Sequence, residues 1–144
     1  MFNPSRDEVR RFLIDAWRKH REGLPATPLE TLAGELVGAH PEYHALLESG
    51  EAAIDRDWLP EQGETNPFLH LSMHLSIREQ VSIDQPAGVA AHHARLSRAL
   101  GSALEAEHVM MDCLGEMIWQ AQRHHTAPDP AVYLDCLGKR STST

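Results

Sequence analysis

The sequence predicts an all-α protein, a single-domain helical bundle of about five to seven helices. Three observations carry this. Apolar residues recur at i, i+3 and i+4 along most of the 144 residues, and no segment rich in β-branched or aromatic residues alternates with a period of two. The third is punctuation: Ser or Thr stands three residues before Glu, or proline opens the segment, wherever a periodic run begins.

Taken in order, Ser5-Arg6-Asp7-Glu8 is a capping box that leads into Val9, Phe12, Leu13, Ala16 and Trp17, with a stop near Gly23. Thr27-Pro28-Leu29-Glu30 caps a second helix through Leu32, Leu36 and Val37. His40-Pro41 interrupts it, because a residue before proline is driven out of the helical region. A short helix over "PEYHALLES" stops at Gly50. The segment 51–65 has no sustained period and reads as a long functional loop. Asn66 and Pro67 open a helix to about Ile83; Val89, Leu96 and Leu100 mark the next, ending at Gly101. Ser102-Ala103-Leu104-Glu105 opens the longest helix, roughly 103–125, with an apolar stripe of Leu104, Met111, Leu114, Ile118 and Ala121. Asp129-Pro130 begins a last short helix through Tyr133, Leu134 and Leu137. The domain is thus expected over 1–138, with 139–144 a disordered tail.

Composition limits what the chain can do. A hydrophobic content of 42% and a charged content of 24% are ordinary for a globular domain, and the apolar runs fall well short of a membrane span. The N-terminus lacks the pattern of a signal peptide. Cys113 and Cys136 lie in amphipathic helices and are expected as reduced thiols, which gives a cytoplasmic expectation. The net charge of −8 argues against nucleic acid. The charge is uneven: Arg6, Arg10, Arg11, Arg18, Lys19 and Arg21 crowd the first helix, whereas residues 22–66 are acidic around the single base Arg56. Pairing of the two segments within the fold is expected; the sharper alternative is an acidic surface that docks a basic partner.

Ten histidines are the one bulk anomaly. His70 and His74, in "NPFLHLSMHLSIREQ", are one turn apart and share a helix face with Met73, Ile77 and Val81. Two buried imidazoles need partners, and a shared metal ion is one way to provide them. Hydrogen-bonded core histidines are the plainer alternative. Residue 71 is leucine where a zinc protease helix carries its general base, so peptide hydrolysis of that type is excluded. Further ligands are sought on the longest helix, where Glu105, His108, Asp112 and Glu116 share a stripe. A single Glu-x-x-His does not make a di-iron centre. The expected site is one divalent metal (zinc, iron or manganese) on His70, His74 and His108, completed by Asp112 or water. Glu105, Glu116 and His44 are second-shell or alternative ligands, and Trp58 and Pro60 belong to a lid. The "HH" pairs at 92–93 and 124–125 read as surface.

The segments "MFNPSRDEVRRFLIDAWRKHREG", "HPEYHALLE", "DRDWLPEQGETNPFLHLSMHLSIREQVSIDQPAG" and "AEHVMMDCLGEMIWQAQR" together resemble a family of short proteobacterial proteins catalogued as a domain of unknown function. The resemblance spans about residues 1–138 and implies a bacterial, cytoplasmic context without an activity. Two functions therefore stand side by side. One is a metal-binding bundle whose enzymatic status the sequence does not decide, with hydrolysis or group transfer as its default chemistry. The other is a non-enzymatic interaction module or homo-oligomer with an acidic docking surface.

Overall fold

The computed structural model describes residues 5–58 and 66–143. Among the described residues there are eight α-helices and no strand. They are α1 (Arg6–Glu22), α2 (Pro28–Gly38), α3 (His44–Glu48), α4 (Glu51–Ile54), α5 (Pro67–Ile83), α6 (Val89–Leu100), α7 (Ala103–His124) and α8 (Pro130–Ser143), with a 3-10 turn at Pro41–Tyr43. The all-α expectation holds, and the count is slightly higher than predicted. The addition is α4, a single turn inside the segment read as loop; Trp58 lies beyond it, and Pro60 falls outside the described residues. A run of four residues is too short to display a period, which is why the sequence hides it.

The chain divides into two compact units, residues 1–75 and 76–144. The boundary falls inside α5, between Leu75 and Ser76, so no linker composition marks it.

In the first unit, α1 packs along α2 and also meets α3 and α4. Ser5 caps α1 by accepting from the Glu8 amide, and Thr27 and Glu30 form a reciprocal capping box on α2. Leu13, Ala16 and Trp17 of α1 bury against Ala33, Leu36 and Val37 of α2, Leu47 of α3, Ala53 of α4, and Phe68 and Leu71 of α5. Gly34 sets the closeness of α1 and α2, because a Cβ there would stand 2.8 Å from His20 Cβ and 3.1 Å from the Ala16 carbonyl. Arg10 is buried on the same face of α1. Its Nη1 donates to the carbonyls of Ile54 (2.6 Å) and Arg56 (2.7 Å), closing the C-terminal end of α4. Its guanidinium also lies over the rings of Trp58 (5.2 Å) and Phe68 (5.0 Å). Burial, then the neighbouring charge of Arg6, lowers the Arg10 pKa from its ordinary value.

The basic first helix and the acidic segment pair within this unit. Arg6 bonds Asp57 at 2.9 Å, Arg11 meets Glu51 at 3.3 Å, and Lys19 meets Glu30 at 2.6 Å. The Lys19 contact, followed by the Thr27 amide, holds the Glu30 carboxyl below its usual range. Intramolecular pairing therefore accounts for much of the charge asymmetry.

In the second unit, α6, α7 and α8 pack on one another. Ile77, Val89, Leu96, Ala106, Met110, Cys113, Tyr133 and Leu137 are its most enclosed apolar side chains. The buried stripe of α7 is rotated from the one predicted: Ala106, Met110 and Cys113 take the centre, and Ile118 is exposed. The Tyr133 hydroxyl donates to Gln80 Oε1 at 2.8 Å, and burial raises its pKa. Cys113 and Cys136 form a disulfide between α7 and α8, with Cα atoms 5.6 Å apart. This corrects the reduced-thiol expectation. Amphipathic placement of each cysteine shows its face but not the approach of two helices, and the approach is what makes a bridge. The last helix also runs on through residues 139–143, where a frayed tail is expected. Among the described residues no helix is long and apolar enough to cross a membrane.

Candidate metal centre

His40 follows the last turn of α2. Pro41 forces it out of the helix, to φ −122° and ψ 71°, and its amide closes onto the Val37 carbonyl at 2.9 Å. The ring turns back and is buried, and Nδ1 lies 2.7 Å from the Leu36 carbonyl. A carbonyl only accepts, so Nδ1 carries the hydrogen and Nε2 keeps the lone pair. Such an N–H to a backbone carbonyl is the usual way a metal-binding imidazole is oriented.

α5 supplies the other two rings of the first unit. The Asn66 side chain accepts from the amides of Phe68 and Leu69 and fixes the start of the helix. The register of Phe68, Leu71 and Ile77 in the core carries His74 inward to complete burial, and His70 follows one turn earlier, partly exposed. The Nε2 atoms of His70 and His74 are 3.2 Å apart. The His40 ring centroid stands 5.1 Å from that of His70 and 4.9 Å from that of His74, and the latter two are 4.8 Å apart. One ring nitrogen from each of the three falls within 4.8 Å of the others. Two imidazoles on one tetrahedral zinc, at bond lengths near 2.0–2.1 Å, would hold their nitrogens about 3.3 Å apart. The His70–His74 separation already matches that figure. Tyr43 roofs the group, stacked on His40 at 5.4 Å and edge-on to His70 at 6.0 Å. Burial, then the charge of Glu42, raises its pKa.

The other predicted site residues are distributed as follows. His108 is on α7, in the second unit. Glu105 Oε1 lies 3.5 Å from His108 Nδ1, in the position of an orienting carboxylate. Asp112 is turned to Arg140 at 3.6 Å, with its side chain 66% exposed. Glu116 accepts from Gln120 on the surface. His44 is engaged otherwise: its Nε2 contacts the Val37 carbonyl at 2.8 Å and its ring stacks on Trp17 at 4.3 Å. Trp58, expected in a lid, packs edge-on against Phe68 at 5.8 Å. His40 is the ligand candidate that sequence reasoning passes over. Pro41 separates it from His44 in the chain, and that same break is what lets its ring fold back onto the Leu36 carbonyl.

A second buried polar group, in the second unit, is also missed. Glu107 of α7 is fully buried, and its carboxylate accepts from Arg78 Nε at 3.0 and 3.2 Å and lies 2.9 Å from His93 Nε2. His93 is therefore a partner of the core and not a surface residue. His92 is also engaged, with Nδ1 3.2 Å from Ser141 Oγ; burial, then Arg95, lowers its pKa. The signal for Glu107 was its step with Met110, Met111 and Leu114, the spacing of the buried face.

The family model described as Domain of unknown function (DUF1841) matches residues 5–139. No curated protein and no solved structure matches the chain.

Proposed function

We propose that this chain, which belongs to the DUF1841 family, is a metal-binding protein that holds one divalent ion through His40, His70 and His74. The observation that carries the reading is the arrangement of the three first-unit imidazoles: Nε2 of His70 and His74 at 3.2 Å, and His40 held by Leu36 in the tautomer that leaves Nε2 to bind. A core histidine that only needed satisfying could use either nitrogen. Here the carbonyl takes Nδ1, and a ring nitrogen of His40 lies within 4.8 Å of one from each of His70 and His74. Asp112, turned to Arg140, is left out of the set. Donors that are all imidazole favour zinc, then iron, over manganese, which prefers oxygen ligands.

Elemental analysis of untagged protein purified without chelator tests the reading. Near-stoichiometric metal is expected, with loss in folded His40→Ala and His74→Ala variants. Metal-free protein that also refuses added zinc and iron would overturn it. An interaction module would then be the better account, and its surface would centre on exposed Ile118 and Trp119 of α7 rather than on the paired acidic segment.

A further inference from the structure

Arg10 is a cation enclosed in the first unit, 3% exposed. Its hydrogen bonds all leave from Nη1 and end on the carbonyls of Ala53, Ile54 and Arg56, which are dipoles and carry no net charge. Its Nε is buried and has no hydrogen-bond partner among the described residues. Asp57, Asp7 and Asp55 act on the guanidinium only through space, and burial outweighs them. Arg6 takes Asp57 at 2.9 Å and Asp7 at 3.5 Å for itself. A guanidinium does not shed its proton, so an enclosed one with a donor unspent gains from an anionic acceptor.

A cavity supplies the second, independent observation. Arg10 lines a space of about 180 Å³ together with Arg6, Asn66 and Ser72, and no acid stands in its wall. Asn66 Oδ1 is occupied by the amides of Phe68 and Leu69, so the polar group that remains to it is the donor Nδ2. Ser72 brings a hydroxyl. The rest of the wall is apolar, made by Val9, Phe68 and Leu69, and the Phe68 ring also lies 5.0 Å from the Arg10 guanidinium. The volume is below the roughly 300–1,000 Å³ of pockets for drug-sized ligands, which confines an occupant to a few carbons. None of the histidines of the metal reading lines it.

We propose that this cavity binds a small monocarboxylate with a short apolar tail. The carboxylate accepts from Arg10 Nε and from Asn66 Nδ2 or the Ser72 hydroxyl, and the tail lies on Val9, Phe68 and Leu69. A wall of donors without an acid suits a group that only accepts, and the apolar half sets such an acid apart from an inorganic anion. The site does not depend on the metal reading.

Nitrogen–proton NMR of the full-length protein tests it, because the Nε–H of Arg10 has a resonance of its own. Titration with sodium butyrate should move that resonance downfield and saturate, with the amides of Phe68 and Leu69 shifting alongside. Butyramide has the same shape without the charge and should bind roughly tenfold more weakly, the order expected for losing a hydrogen bond to a charged acceptor. Ser72→Leu puts an apolar side chain into the cavity from a partly exposed helical position that leucine suits. It should abolish the response, and an unchanged helical spectrum shows that the variant is folded. An Arg10 resonance indifferent to butyrate would overturn the proposal. Equal affinity for butyramide would overturn recognition of the charge, and inorganic phosphate binding as well as butyrate would overturn the part given to the apolar wall. A response that survives in folded Ser72→Leu would place the binding outside this cavity and overturn the site.

Discussion

Buried polar residues of this chain are placed by what they bond, and Glu107 gives the sharpest case. Its carboxylate is fully enclosed, whereas the Arg78 side chain that pairs with it is 27% exposed. The two partners should therefore respond unequally to removal. Arg78→Met leaves an enclosed carboxylate without its guanidinium, and the expected cost is about 3–5 kcal/mol. Glu107→Met leaves a guanidinium that can turn to water, and the cost should be smaller by at least about 1 kcal/mol. Urea unfolding of the two variants measures the difference; equal losses would contradict the asymmetry. The same reasoning explains why His40 escapes a sequence reading. Nothing in "GAHPEYH" tells that the ring will fold back onto Leu36.

Among the elements, α7 carries the most. It contributes His108, Glu107 and Cys113, and the disulfide fastens it to α8. A bridge across a sequence separation of 23 restricts the unfolded chain and is worth about 3 kcal/mol. The double variant Cys113→Ala/Cys136→Ala should lose stability of that order, and reductant should lower the wild-type unfolding midpoint without affecting the variant. Amide exchange would rise first in α7 and α8. Identical midpoints with and without reductant would show that the bridge does not stabilise the fold. The elements themselves were largely legible, because caps are local chemistry. Ser5, Thr27, Asn66 and Ser102 each accept from the amides their positions predict. The single turn of α4 and the continuation of α8 past Gly138 were not, since neither has a period or a cap to announce it.

For the molecule as a whole, metal binding is linked to stability. An ion that binds the folded chain alone raises its stability by RT ln(1 + [L]/Kd), about 2.7 kcal/mol at a hundred times Kd. Thermal unfolding of chelator-treated protein should therefore move upward with added zinc, in a concentration-dependent way. His74→Ala should lose that dependence. A wild-type midpoint indifferent to zinc would count against a specific site. Ion pairs on α1 contribute little by comparison, because Arg6, Arg11 and their partners are at least half exposed.

The sequence by itself determined the helical class, most helix boundaries and the inward face of His74, because each follows from local periodicity and from caps made by neighbouring residues. It also pointed to His70 and His74 as a pair, since spacing along one helix is visible in the text. Tertiary structure decided the remainder. The boundary between two compact units falls inside a helix, Cys113 finds Cys136, Arg10 closes α4, and Glu107 gathers Arg78 and His93. His40 comes to the α5 histidines in the same way. All of these join residues far apart in the chain, and no local pattern encodes which distant faces will meet.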